Sequence, residues 1–231
     1  MKPWTESRRG PRDIQLVRLL SRLGKPYFTV ADLEKILDLK RESLYVTLHR
    51  LVRYGVLERL QRGVYQSALG PGDVPRIANL LYVPSCLSFE SALARYGVLS
   101  QIPYAVTFAT TRRSKRMTLG TTVVEFHQLR DDLFFGYILE RGLCLAEPEK
   151  ALLDELYLIK RGRASLELSE LRLTDLSPER LLAYAARFPS YVQQTAQKLM
   201  VDGGKTRRAC CGPRMRGDSV ADRAVHRRLR L

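Results

Sequence analysis

Apolar residues recur at helical spacing through the first fifty positions, and then the spacing changes. Ile14, Leu16, Val17, Leu19, Leu20 and Leu23 line a first element, with Arg18 and Arg22 between them, and Gly24 and Pro26 stop it. Thr29 opens a second helix. Its hydroxyl is placed to accept a free backbone N–H, Asp32 three residues on completes a capping-box pattern, and Val30, Leu33, Ile36 and Leu37 supply the buried side. After Asp38-Leu39-Lys40 the pattern predicts a third helix from about Arg41 to Tyr54, with Gly55 at its C-terminal cap. Leu44, Leu48 and Leu51 share one face of it, with Val52 at the edge. The opposite side carries Glu42, Val46, His49, Arg50 and Arg53. Two short apolar-rich runs, Val56–Leu60 and Val64–Gln66, then flank Gln61-Arg62-Gly63, the pattern of a β-hairpin with glycine in its loop.

Helix, helix, short turn, helix and basic hairpin, in that order, predict a winged helix-turn-helix. Physically, the first two helices hold the third by its leucine stripe, so that its polar side is free to enter a major groove. Arg41, Glu42, Ser43, Tyr45 and Val46 occupy the early turns and are the candidates for reading base edges. Arg50 on the helix and Arg59 and Arg62 on the hairpin are candidate phosphate contacts, and Arg53 lies on the same outer side. A protein-interaction module with a solvated outer face is the competing reading of the same pattern.

The rest of the chain alternates differently. Residues 71–84 hold Pro71, Gly72, Pro75 and Pro84 and read as a linker or entry loop. A helix is expected within 85–97, with Ser88 as N-cap and Gly97 as its stop. Tyr104–Thr110, Thr122–His127, Phe134–Leu139 and Leu143–Ala146 read as strands. A helix starts at Pro148, with Glu147 and Glu149 at its positive end and Lys160 and Arg161 before Gly162 at its negative end. Two more follow, at about 178–187 and 190–200. Strands grouped first and helices after argue for an α+β fold rather than repeated βαβ units. Three parts are therefore expected: a winged helix-turn-helix over 1–70, a larger mixed α+β domain over 71–200, and a basic tail over 201–231 too poor in apolar residues to order itself.

Charge sharpens this picture. The 231 residues carry a formal net charge of +15. Residues 1–70 hold 14 basic and 7 acidic groups, 71–200 hold 16 and 14, and 201–231 hold 9 and 3, so the surplus sits at the two ends. That distribution favours a polyanionic partner, because cations that neutralise phosphates release counterions. Arg112, Arg113, Lys115 and Arg116 form a basic cluster between two predicted strands. It reads as a solvated hairpin, or as a second contact for nucleic acid or a protein partner.

Other classes find little support. No apolar run is long enough to span a membrane. Cys86, Cys144, Cys210 and Cys211 show no framework spacing, which fits a reducing cytoplasm. His49, His127 and His226 have no second ligand at helical spacing, so neither metal nor cofactor is expected. The carboxylate pairs Asp131-Asp132, Glu147 with Glu149, and Asp154-Glu155 lie beside no nucleophile or phosphate-loop motif, so no catalytic residue is assigned and no enzymatic activity is expected.

An ordered set of short segments resembles one family. Ser88-Phe89-Glu90-Ser91-Ala92-Leu93, then Tyr96-Gly97, Thr110-Thr111-Arg112-Arg113, Phe134-Phe135-Gly136-Tyr137, and Ala146-Glu147-Pro148-Glu149-Lys150-Ala151-Leu152-Leu153-Asp154 are similar to the AbiEi antitoxins of type IV toxin–antitoxin systems, also described as regulators of viral defence. The resemblance covers about residues 10–200. Glu147 departs from it, standing where a threonine is more usual, though it is expected to serve the same cap. The resemblance implies a winged-helix domain that represses its own operon, so that the partner is double-stranded promoter DNA, commonly with inverted repeats. It also implies a second domain that counteracts a nucleotidyltransferase toxin without a stable complex. It carries over no catalytic residues. Two other readings stay open: a winged-helix regulator with a ligand- or partner-sensing domain and no toxin, and an RNA-binding protein. The oligomeric state, dimer or cooperative monomers, is equally open.

Overall fold

The computed structural model describes residues 11–68, 72–162 and 171–210, with side chains over 15–68, 72–162 and 171–201. Its N-terminal part contains α1 (Pro11–Leu23), β1 (Phe28–Thr29), α2 (Val30–Leu37), α3 (Arg41–Arg53), β2 (Leu57–Gln61) and β3 (Val64–Ser67). The three strands form an antiparallel sheet in the order β1-β3-β2. Leu16, Leu20, Phe28, Leu33, Leu37, Leu44, Leu48, Leu51, Leu57 and Tyr65 make its buried cluster, so the leucines picked out by spacing are the ones removed from water. The capping box is present. The Asp32 N–H donates to the Thr29 hydroxyl at 3.1 Å, and the Thr29 N–H donates back to the Asp32 carboxylate at 2.9 Å. Burial raises the Asp32 carboxyl, but the Lys25 ammonium at 2.7 Å and the donors of Thr29 outweigh it and hold the group at about 2. The turn between α2 and α3 passes through Asp38 at φ 49°, a left-handed conformation that aspartate tolerates better than most side chains. The short β1 is not evident from the pattern, since two residues carry no period.

The larger part contains α4 (Val74–Leu81), β4 (Ser85–Leu87), α5 (Phe89–Arg95), β5 (Ala105–Thr110), β6 (Lys115–Leu119), β7 (Thr122–Gln128), β8 (Tyr137–Glu140), β9 (Leu143–Ala146), α6 (Pro148–Ile159), α7 (Pro178–Ala185) and α8 (Ser190–Cys210). Its six-stranded sheet runs β6-β7-β5-β4-β9-β8, with parallel pairs at β5–β7 and β4–β9 and antiparallel pairs elsewhere, a mixed α+β arrangement. Register partners share a face. Phe126, Phe108, Leu87 and Leu145 therefore form one row, and the Tyr82 ring at the end of α4 packs 4.7 Å from that of Phe126. The opposite face carries Thr107 and His127 and receives α5. The Thr107 hydroxyl donates to the Ser88 carbonyl at 2.9 Å, and the Phe89 ring meets His127 edge-on at 5.3 Å.

Several expectations are corrected. The stretch read as a linker holds α4, because Pro75 lies in the first turn, where a missing N–H costs nothing, and Asp73 caps it. The segment read as one helix from Ser85 begins with β4, and the strand read from Phe134 starts only at Tyr137, after a 3-10 turn at Asp131–Leu133. The last helix does not stop at 200 but continues to Cys210, so the first ten residues assigned to a disordered tail are helical. Residues 211–231 of that tail lie outside the described residues. Cys86 and Cys144, whose spacing suggests no framework and fits a reducing cytoplasm, are joined as a disulfide. They lie on the neighbouring strands β4 and β9 with their Cα atoms 4.5 Å apart, a proximity that a separation of 58 residues conceals.

Three of the segments that carry the family resemblance, those of Ser88, of Phe135 and Tyr137, and of α6 itself, meet in the interior around α6. Lys150 and Asp154 are both 0% exposed and form an ion pair one helical turn apart. The Ser88 hydroxyl donates to Asp154 at 2.8 Å and that of Tyr137 at 3.4 Å, while the Lys150 ammonium sits 5.1 Å from the rings of Phe135, Tyr137 and Phe188. Burial lowers Lys150 and raises Asp154, each shift being opposed by the other's charge. Ser88 thus occupies the N-cap position of α5 without capping it by its side chain. Glu147 likewise gives no side-chain cap to α6. Instead it accepts from the Tyr184 hydroxyl and from Arg180 at 3.0 Å, while Glu149 accepts the Ser177 N–H at 2.8 Å. The two carboxylates tie α6 to α7.

Two stability tests follow from these contacts. Thr29→Ala removes the side-chain half of the capping box and should cost about 1 kcal/mol in urea denaturation, with Thr29→Ser close to wild type. Glu155 is 1% exposed, and its Oε1 has no hydrogen-bond partner among the described residues. Burial, with Glu90 and Asp154 nearby, raises its carboxyl from 4.5 to about 8. The folded chain therefore keeps this proton over a range where the unfolded chain has released it, and stability should fall as pH rises from about 4.5 to 8 and level off above. Glu155→Gln should flatten that fall in the melting temperature, and an unchanged pH profile would refute the assignment.

Candidate nucleic-acid interface

Helix α3 presents two opposed faces. Leu44, Leu48 and Leu51 are buried, and Arg41, Glu42, Ser43, Tyr45, Val46, Arg50 and Arg53 are all exposed. Lys40, the N-cap residue, and His49 are exposed beside them. Lys40 is an addition to the residues expected from sequence. A lysine immediately before a helix was a signal available in the sequence. Among the described residues, Arg41, Arg53, Arg59 and Arg62 have no carboxylate partner, so their charge is open to an external anion. Gly55, at φ +66°, turns the chain sharply from the end of α3 into β2.

The β2–β3 hairpin turns through Arg62-Gly63, with Arg59 and Arg62 exposed as expected. What the sequence conceals is where its other side goes. Leu57 and Leu60, three residues apart and so on opposite faces of β2, belong to different interiors: Leu57 faces the N-terminal cluster while Leu60 joins the larger one, together with Val64, next to a bulge between Arg59 and Gln61. The Gly120 N–H, in the turn between β6 and β7, donates to the Leu60 carbonyl at 2.9 Å. Gly120 has φ +61°, and a Cβ there would stand 3.1 Å from the Glu58 carboxylate. The edge strands of the two sheets are thus pinned together, and the hairpin offers its arginines from a fixed base.

The second basic cluster is brought together but largely occupied. Arg112 lies over the Tyr82 ring at 4.4 Å and donates to the Val83 carbonyl at 3.2 Å. Lys115 approaches the same ring at 5.2 Å, and the Tyr82 hydroxyl donates to the Arg113 carbonyl at 2.8 Å. Arg116 pairs with Glu125 at 3.4 Å. Three of these four cations therefore have partners within the fold, and Lys115–Leu119, expected between strands, is itself β6.

Among the described residues no group of three or more His, Cys, Asp or Glu side chains is placed to hold a metal ion, and no helix is long and apolar enough to cross a membrane. The pinning of the hairpin is open to a direct test. Leu60→Ala leaves a cavity in the larger core and should destabilise the chain by about 2–5 kcal/mol. It should also raise amide hydrogen exchange at Gly120, whereas a Leu60 that merely covered the hairpin would leave that amide as protected as before.

With this geometry in view, comparison with known proteins gives a family match. Residues 15–68 match the family model described as transcriptional regulator, AbiEi antitoxin, a stretch that runs from within α1 past the end of β3. No curated protein matches the chain. The exposed cationic face of α3 therefore lies within the segment that matches the AbiEi antitoxin family of transcriptional regulators.

Proposed function

We propose that this chain is a DNA-binding autorepressor that acts as the antitoxin of a type IV toxin–antitoxin system. In this reading residues 1–70 form the winged helix-turn-helix. Helix α3 enters the major groove, Arg41, Glu42, Ser43, Tyr45 and Val46 read base edges, and Arg50, Arg53, Arg59 and Arg62 hold phosphates. The observation that carries it is the helix whose leucines are all buried while its cations are all exposed. The hairpin serves as a short wing with little freedom, because Leu60 and Val64 anchor its base. Residues 71–200 counteract a nucleotidyltransferase toxin without forming a stable complex with it. This second role is supported by the family match of the N-terminal segment and by the three motif segments that meet around Lys150 and Asp154. The Arg112–Arg116 cluster is assigned to the fold rather than to DNA, since Tyr82, Val83 and Glu125 take up its charge.

Binding to the DNA directly upstream of its own reading frame tests the first role. Wild-type protein should prefer that DNA over unrelated DNA and over transfer RNA at fixed salt, and should protect paired half-sites in a footprint. Arg53→Ala with Arg62→Ala should weaken binding to all sequences and reduce the slope of log K against log salt by about 1.8, the value for two lost phosphate contacts. An unchanged slope would remove these arginines from the interface, and preference for transfer RNA would favour an RNA-binding protein instead. For the second role, co-expression should relieve the toxicity of the nucleotidyltransferase encoded beside it, and failure to do so would leave only a regulator.

A further inference from the structure

Val46 is the most exposed aliphatic side chain of α3, at 73%, on a helix that buries its three leucines completely. At about 100° per residue it lies roughly 200° round the axis from Leu44. It therefore stands at the outward pole of the helix, with Glu42 one turn before it and Arg53 two turns after it. When a helix lies in a groove, the residue at this pole reaches deepest, toward the base edges and away from the phosphates on either side. Valine is a poor choice for a solvated helix surface. Its two methyls lock χ1, its helix propensity is below that of lysine or glutamate, and it offers water nothing. The same rigidity suits a contact with an apolar group. In the major groove the base edges present donors, acceptors and a single apolar feature, the C5-methyl of thymine.

We propose that Val46 reads a thymine methyl, so that each half-site bound by this chain carries an A·T pair beneath the second turn of α3 with its methyl turned toward the helix. The inference rests on the DNA reading above and names what that site recognises. Glu42, Ser43 and Tyr45, exposed on the same early turns, bracket the position with groups able to address the neighbouring polar edges.

The upstream DNA is prepared twice, once with thymine and once with uracil throughout, which removes the C5-methyl and keeps every donor and acceptor. Wild-type protein should bind the methyl-free DNA about fourfold more weakly for each methyl contacted, as expected for losing one methyl-sized apolar contact. Single thymine-to-uracil changes should localise the effect to one position per half-site. Val46→Ala, at an exposed position that leaves the core untouched, should bind both DNAs alike and as weakly as wild type binds the uracil form. Val46→Thr, which keeps one methyl, should fall between. Wild-type protein that still prefers its upstream DNA but is indifferent to the methyl would overturn the proposal and leave the DNA reading standing. A Val46→Ala protein that keeps the full methyl penalty would place Val46 elsewhere, for instance between copies of the chain, and would also overturn it. Loss of preference for upstream over unrelated DNA would bring down the DNA reading itself.

Discussion

Burial of Leu44, Leu48 and Leu51 is the constraint on which the N-terminal module depends. Removing a leucine side chain from water is worth about 1.5–3 kcal/mol, and three on one stripe fix the rotation of α3 about its axis. Once that rotation is set, Glu42, Val46, His49 and Arg53 have nowhere to point but outward. None of them contributes much to holding the helix in place, so the inner face carries stability and the outer face is free to vary with its partner. The capping box of Thr29 and Asp32 and the left-handed Asp38 serve the same end, because they determine where α2 starts and how sharply the chain turns into α3.

A second constraint joins that module to the rest of the molecule. Strand β2 serves two cores. Leu57 belongs to the N-terminal cluster, and Leu60 to the larger one. Side chains of a strand alternate between its two faces, so residues three apart point to opposite sides, and β2 uses that alternation to reach two interiors. The hydrogen bond from Gly120 to the Leu60 carbonyl then sets the edge of the small sheet against the edge of the large one. An unpaired strand edge is a liability in water, and here two edges shield part of one another. The geometry also makes the β6–β7 turn a direct neighbour of the hairpin, so that repacking in the six-stranded sheet is felt at the base of the segment bearing Arg59 and Arg62.

The interior of the larger part is organised around charge. An ion pair taken wholly out of water gains little net stability, because desolvation offsets its attraction, yet it permits few alternative arrangements. Lys150 and Asp154 satisfy that condition with unusual completeness. Ser88 comes from the start of α5, Tyr137 from β8, and Phe135 and Phe188 from the loops beside β8 and α8, and all converge on one pair of side chains from α6. A misplaced element would leave a buried charge without its partner.

The N-terminal elements were legible because their information is local. Leucines every third or fourth residue, a threonine with an aspartate three places on, and a glycine after a basic helix each act within a turn or two of the chain, so the helices, the cap and the outward set from Arg41 to Arg53 follow from spacing alone. The α+β character and the helix from Pro148 to Ile159 were equally local. What failed to show were features that depend on residues far apart in sequence. Pro75 looked like a breaker until Asp73 and the packing of Ile77 and Ala78 made it the first turn of α4. Ser88 and Glu147 looked like caps, and only the approach of Asp154, Tyr184 and Arg180 gave their side chains other partners. The Cys86–Cys144 bond, the parallel pairing of β4 with β9, and the docking of Leu60 against β6 are likewise products of long-range contact. Periodicity states which side of an element avoids water, because that is a property of the element. It does not state which other element will cover that side, because that depends on the packing of the whole chain.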